Sequence, residues 1–284
     1  MFHSLRGSFT ALVAVAVTSS SRNCVSAITN GEFDTTNKYP AVGTFMANWG
    51  TWGGVVPFCS GTLIAPNVFL TAQHCTEYLA DQGFLVESDD GTLVPNTDNT
   101  GTPIIWLTFD TDPLDGDAPG PTCPGNCIEF ERVIEMPPTN GSDLRDLAVV
   151  ILKDDIGITP VPFAPYVDYA KHLEKEDLLT VVGFGSSYVQ DRPNPVKERL
   201  FQRQYADTVF NHLQKFDIFA LQVRGQDKSG TCNGDSGGPI LDYTGVLVAV
   251  TSTGDFPCVA TGFYYRVDTD ASQEFLLNVI DQYS

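Results

Sequence analysis

The chain is poor in positive charge. Its 284 residues carry 16 Lys and Arg against 35 Asp and Glu, a formal charge of −19. Residues 1–27 hold Arg6 and Arg22 and no acid, so the remainder is more acidic still. Such a surface disfavours nucleic acid and anionic lipid as partners and favours solubility. Long apolar runs are missing too. Phe9–Val17 is an apolar run of nine residues, where a membrane-spanning helix needs about twenty. Extended helix-period stretches are scarce, whereas Gly (25) and Pro (18) are plentiful. That composition suits an all-β protein with many turns. Histidine is scarce as well: His3, His74, His172 and His212, with none further along.

The N-terminus reads as a secretory signal. Arg6 precedes the Phe9–Val17 run, and Val25-Ser26-Ala27 offers small residues before a cut. A cut after Ala27 makes an exported protein beginning at Ile28. An earlier cut near Ser20 would leave a short propeptide over residues 21–27. Cleavage after Ala27 removes Cys24 from the seven cysteines and leaves Cys59, Cys75, Cys123, Cys127, Cys232 and Cys258. Disulfides are expected in an oxidising destination. Pairing 59 with 75, 123 with 127 and 232 with 258 is the most local of the fifteen ways six cysteines can pair. Their spacing matches no zinc site, and no metal or other cofactor is expected.

Short apolar runs alternate with turn residues through 41–47 and 61–72, and read as strands in hairpins. Residues 85–127 are less regular and acidic, with a strand candidate at Ile104–Phe109. The D-T-D-P-L-D-G-D stretch (110–117) matches no standard calcium loop and reads as solvated. Leu147–Leu152 is a continuous apolar strand. Pro160, Pro162 and Pro165 and a charged patch containing an exposed His172 mark a connector. A second strand series follows at 178–185, 240–243, 246–252 and 263–267. Between them Asp207 is expected to cap a short helix with Val209, Phe210 and Leu213 on one face, and His212 off it. The chain closes in a helix capped at Asp270, with Phe275, Leu276, Val279, Ile280 and Tyr283 as its apolar stripe. Asn140-Gly141-Ser142 is a glycosylation sequon or a plain turn.

Gly234-Asp235-Ser236-Gly237-Gly238-Pro239 sets a serine hydroxyl between residues whose backbone can aim N–H groups at one point. The same letters satisfy the nucleophile elbow of α/β-hydrolases, but that fold needs a histidine after the serine. None follows Ser236, so its base must come from upstream. His74 in T-A-Q-H-C (71–75) follows an apolar strand. A short Cys59–Cys75 loop, worth about 3 kcal/mol in the chain-entropy model, would hold it rigid as a general base requires. Asp146 in R-D-L-A-V-V-I-L heads an apolar strand, where an acid is costly to bury unless paired. Asp143 in N-G-S-D is a weaker candidate, since Asp is common in turns.

The order His74, Asp146, Ser236 and the three motifs resemble the trypsin/chymotrypsin family of secreted serine endopeptidases, with Gln73 where that family usually has Ala. The resemblance runs from Ile28 to the C-terminal helix, apart from the longer, more acidic 85–127. It implies two antiparallel Greek-key β-barrels, about 28–158 and 177–268, joined by a connector at 159–176, followed by a helix at 269–284. The active site would lie in the cleft between them. It implies Ser236 as nucleophile, His74 as base and Asp146 as its orienter, with the N–H groups of Gly234 and Ser236 as oxyanion hole. Cys232–Cys258 would tie the serine loop to the pocket wall. Ile28-Thr29-Asn30-Gly31 resembles the family's mature start, so a freed Ile28 ammonium would pair with Asp235. The pocket would comprise Gly230, Thr231, Ser252, Thr253, Gly254 and Gly262. Gly230 stands where trypsins carry Asp, which implies apolar or aromatic preference unless Asp255 turns inward and favours basic residues. A monomer acting on polypeptides, and meeting protein protease inhibitors, is expected. A catalytically silent binding protein on the same fold is the alternative.

Overall fold

The computed structural model describes residues 28–29, 31–50, 53–115, 119–137, 145–189, 196–199, 201–222, 229–255, 258 and 260–284. The expected leader over 1–27 with Cys24, Asn30, Asp143 and the sequon at 140–142 lie outside the described residues. Along the chain come β1 (Glu32–Phe33), β2 (Val42–Asn48), β3 (Val55–Ala65), β4 (Val68–Thr71), the helix α1 (Gln73–Asp81), β5 (Leu85–Glu87), β6 (Leu93–Pro95), β7 (Ile105–Thr108), β8 (Phe130–Glu135) and β9 (Ala148–Leu152). Beyond a 3-10 turn at Tyr169–His172 follow β10 (Leu178–Gly183), β11 (Ser186–Val189), β12 (Val196–Arg199), β13 (Gln204–Leu213), β14 (Asp217–Gln222), β15 (Pro239–Leu241), β16 (Leu247–Gly254), β17 (Thr261–Arg266) and the helix α2 (Asp270–Tyr283).

Among the described residues these form two large antiparallel sheets and a separate two-stranded β11–β12 ribbon. The first runs β5-β6-β8-β9-β4-β3-β2-β7, and a Leu107–Ile128 bridge hooks β7 to the segment entering β8. The second runs β1-β13-β10-β15-β16-β17-β14, with β14 pairing back to β13 to close a barrel. This is the expected all-β, two-barrel architecture with a C-terminal helix.

The apolar run at Leu147–Leu152 explains how the barrels meet. Side chains alternate across a strand, and β9 is buried at every position. Ala148, Val150 and Leu152 enter the core of the first barrel with Phe45, Leu63 and Phe69. Val149 and Ile151 face the other way, into a cluster with Val182, Val250 and Phe275 that joins the barrels and seats α2. The second barrel has its own core of Val181, Ile218, Ile240, Val248 and Tyr264.

Several expectations are corrected. The stretch with Val209, Phe210 and Leu213 is not a helix capped by Asp207 but the strand β13. Its burial alternates, with Gln204, Ala206, Thr208 and Phe210 inward, and pairing to β10 and β14 on its two sides overrides the helical spacing. Asp207 instead sits opposite Thr180 and accepts its hydroxyl at 3.3 Å, and His212 is an exposed strand residue. Past the expected strand segment at 61–72, residues 73–81 form a helix that was not anticipated. The cap of α2 is Thr269, whose hydroxyl accepts the Ser272 N–H at 3.2 Å; Asp270 is in the first turn. Segment 85–127 is more ordered than its letters suggest. It supplies β5, β6 and β7, and its acids close turns. Asp90 accepts the hydroxyls of Ser88 and Thr92, Asp98 accepts that of Thr100, and Asp110 accepts the Asn126 side chain. Ile28, Thr29 and β1 belong to the second barrel. β1 pairs with β13, Thr29 bridges to Gly230, and Ile28 is buried in that core.

Candidate active site

The register of β4 and β9 brings His74 and Asp146 together. Thr71 pairs with Ala148, so the chain leaves β4 toward His74 where it arrives from Asp146. α1 then turns the imidazole into the cleft, with Cys75 buried beneath it in the Cys59–Cys75 disulfide. The His74 backbone N–H donates to Asp146 Oδ1 at 3.0 Å, and ring Nδ1 lies 2.9 Å from both carboxylate oxygens. Asp146 is buried, whereas the His74 side chain is 43% exposed.

The electrostatics follow from that contact. Burial pulls the His74 imidazole down, but the Asp146 carboxylate, helped by Glu77, more than offsets this and holds it above its ordinary 6.5. Burial pushes the Asp146 carboxyl up, but the bonds from His74, with help from the Ser252 hydroxyl, hold it below the usual range. An anionic carboxylate thus faces Nδ1, which leaves Nε2 as the proton-accepting nitrogen.

Ser236 enters the same cleft from the second barrel, in the turn before β15. Gly237 must follow it. Its φ is +82°, and a Cβ there would lie 2.2 Å from Thr71 Oγ1 and 2.3 Å from the Ser60 carbonyl. His74, Asp146 and Ser236 line one open cleft of about 510 Å³, together with Thr231, Ser252, Thr253, Gly254 and Asp255. His74 Nε2 contacts Cys75 Sγ at 3.7 Å, and among the described residues it forms no hydrogen bond to the Ser236 hydroxyl. Such bonds are often long without substrate. Among the described residues the N–H groups of Gly234 and Ser236 donate to no protein acceptor, as an oxyanion hole requires.

Asp235, next to Ser236, is fully buried. It accepts the N–H of Gly185 and of Cys232, each at 2.8 Å. Burial pushes its carboxyl up to about 7, and those two N–H groups pull the other way. Gly230 and Gly262 are not in the cleft lining. Gly230 bridges to Thr29, and Gly262 pairs with Gly254 between β16 and β17. Beside them Thr231 Oγ1 and the Tyr264 hydroxyl lie 3.3 Å apart, so this end of the cleft is polar and uncharged. Asp255 is turned to its own loop and accepts the N–H of Ala260 at 2.9 Å and Thr261 at 2.6 Å. Cys232–Cys258 joins the serine loop to that wall, and Cys123–Cys127 staples the 85–127 segment. The one group of candidate metal ligands among the described residues, Cys59, His74 and Cys75, has its two sulfurs bonded to each other.

Sequence reasoning missed Glu77 and Arg145, which flank His74 and Asp146 in the cleft. It also missed Gly183 and Gly185. A Cβ on Gly185 would lie 2.6 Å from Asp235 Cγ, and one on Gly183 2.3 Å from its Oδ1. Two glycines around Phe184 at a strand end were the available signal.

The sequence model of the Trypsin family matches residues 124–273, just over half the chain. The chain belongs to the trypsin family. The matched span includes Asp146 and Ser236, and His74 precedes it. Two insect proteins are among the relatives of this trypsin-family chain. The CLIP domain-containing serine protease HP8 of Bombyx mori is 22% identical over 250 residues, covering 79% of this chain and 62% of the relative. Scolexin B of Heliothis virescens is 25% identical over 207 residues, covering 68% and 64%. The chain thus spans less than two thirds of the length of these relatives. Among solved structures, a mutant of human heparin binding protein superposes with a TM-score of 0.58 at 17% identity, covering 89% of this chain and 97% of that one. The mouse brain serine protease neuropsin gives 0.56 at 16% identity, covering 88% and 98%. These similarities fix the trypsin-like fold of the chain.

Proposed function

We propose that the chain is an exported serine endopeptidase that hydrolyses peptide bonds through an acyl-enzyme. The observation that carries this is the His74–Asp146 pair at 2.9 Å in one cleft with Ser236. The Ser236 hydroxyl attacks the scissile carbonyl while His74 Nε2 takes its proton. Asp146 holds the ring and balances the imidazolium. The developing oxyanion meets the N–H groups of Gly234 and Ser236. His74 then gives its proton to the leaving amine. The resulting ester is hydrolysed by water, which His74 activates in the same way.

The uncharged part of the cleft lining at Thr231, beside the Tyr264 hydroxyl, supports apolar or aromatic side chains before the cut. Cleavage before Ile28, by signal peptidase or from a short propeptide, would give Asp235 an ammonium partner. The substrates are polypeptides, and protein protease inhibitors would occupy the same cleft. The acidic surface argues against nucleic acid or membrane partners, and the protein acts as a monomer. Labelling with a fluorophosphonate probe tests the reading. The processed protein should carry one label on Ser236, lost in Ser236→Ala and His74→Ala. A processed, folded protein that takes no label would instead support a binding protein on this fold.

A further inference from the structure

Ser60 uses its N–H, its hydroxyl and its carbonyl, and three of the four hydrogen bonds it makes beyond the strand ladder cross from the first barrel into the second. It lies in β3 next to Cys59 and is fully buried. Its N–H donates to the Ser236 carbonyl at 2.8 Å. Its hydroxyl donates to the Gly234 carbonyl at 3.0 Å and accepts the Phe184 N–H at 3.0 Å. Its own carbonyl accepts the Thr71 hydroxyl at 2.8 Å. One side chain of the first barrel thus joins the residue before Gly185, which binds Asp235, to one of the two residues that offer free N–H groups in the cleft.

We propose that Ser60 is a positioning residue of the oxyanion hole. This rests on the protease reading of the same cleft. Gly234 has φ +101° and, lacking a Cβ, is conformationally permissive. Its carbonyl and its N–H belong to consecutive peptide planes that meet at its own φ and ψ. A carbonyl pinned by the Ser60 hydroxyl holds one of those planes and so narrows the directions in which the N–H can point. Donors that are set before charge develops cost no reorganisation at the moment of reaction. Without the hydroxyl, the buried Phe184 N–H and the part-buried Gly234 carbonyl lose their partner, which favours a shift of the Gly234 peptide.

The test compares processed wild type with Ser60→Ala and Ser60→Thr. It measures kcat and KM on a peptide anilide, and inhibition by a peptide boronate and by the matching product peptide. The boronate presents a tetrahedral oxygen to the hole and the product peptide does not. In Ser60→Ala, kcat and boronate affinity should each fall about tenfold, short of the roughly 10²–10³ of deleting a donor. KM and product-peptide affinity should stay within about twofold, and Ser60→Thr should recover most of the loss. Ser60→Gly is read the same way if Ser60→Ala does not fold. An unchanged kcat, or equal weakening of boronate and product peptide, would overturn the assignment. Failure of wild type itself to take a fluorophosphonate label would overturn the protease reading, and this assignment with it. A labelled wild type with an unaffected Ser60→Ala overturns only the role of Ser60.

Discussion

The carboxylate of Asp235 accepts the N–H of Gly185 at 2.8 Å, fifty residues away in the chain, in a space that only glycine at 183 and 185 leaves open. In the uncut chain this acid is fully buried, and burial pushes its pKa up to about 7. The native state therefore binds this proton more tightly than the unfolded state, whose Asp titrates near about 4. Stability from this group is fully present below about pH 4 and is lost as pH rises to about 7, on the order of 4 kcal/mol across the window. Urea unfolding of uncut Ser236→Ala protein at a series of pH values should show this slope, and adding Asp235→Asn should remove it. Cleavage before Ile28 should remove it too, because an ammonium partner would pull the carboxyl back down. A slope that survives Asp235→Asn undiminished would show that the acid is not strained before cleavage.

On the proposed mechanism, the His74–Asp146 contact should set the pH dependence of turnover. His74 must be neutral to act as base, and Asp146 holds its pKa above 6.5. The acid limb of kcat/KM should therefore lie above that of an ordinary imidazole. Asp146→Asn should move the limb to lower pH and lower kcat by about 10⁴, the loss typical of this change in a chymotrypsin-type triad. A limb that stays in place in Asp146→Asn would assign it to another group.

The parts of this site that were legible in the sequence are those whose signal is local. His74, Asp146 and Ser236 each sit in a short motif beside an apolar strand, and the inward acid at 146 is anomalous by itself. Ser60 is silent because its hydroxyl partners lie 124 and 174 residues away. Nothing in F-C-S-G-T distinguishes it from any strand serine. β13 was misread for a related reason. Val209, Phe210 and Leu213 fit a helical stripe as well as a strand, and only the flanking strands β10 and β14 decide between them. α1 was missed because, among its nine residues, Cys75 and Leu79 are the only buried apolar ones.

The uncharged end of the cleft predicts substrate choice. With Gly230 and Gly262 beside the Thr231–Tyr264 contact, peptides with Phe or Leu before the cut should be cleaved faster than those with Arg or Glu. Thr231→Asp places a carboxylate in that lining. It should lower kcat/KM for Phe at least about tenfold and raise that for Arg, because an unpaired buried charge rejects an apolar side chain. A peptide panel on both proteins checks this. Fastest cleavage after Arg by the parent would transfer the specificity role to Asp255, despite its bonds to Ala260 and Thr261.

The buried ion pair of Asp34 and Arg203 should be the costliest charge to break. Both side chains are fully buried, with Arg203 Nε 2.9 Å from Asp34 Oδ2. Arg203 Nη1 also donates to the carbonyls of Val42 at 2.8 Å and Phe109 at 3.0 Å, and Nη2 donates to Asn37. Asp34 in turn accepts the N–H groups of Lys38 and Tyr39. One guanidinium, just before β13 of the second barrel, therefore ties that strand's entry to the Asp34–Asn37 turn and to the first barrel. Burial pulls its pKa down and Asp34 opposes this. Asp34→Ala leaves that charge uncompensated and should cost about 3–5 kcal/mol in urea unfolding. Removing both charges, as in Asp34→Ala with Arg203→Met, should cost less than the two single losses combined. Asp34 also lies six residues after Ile28. In the processed protein the single substitution should therefore slow fluorophosphonate labelling of Ser236 under conditions where the fold persists. A stability loss without slower labelling would confine the pair to holding the barrels together.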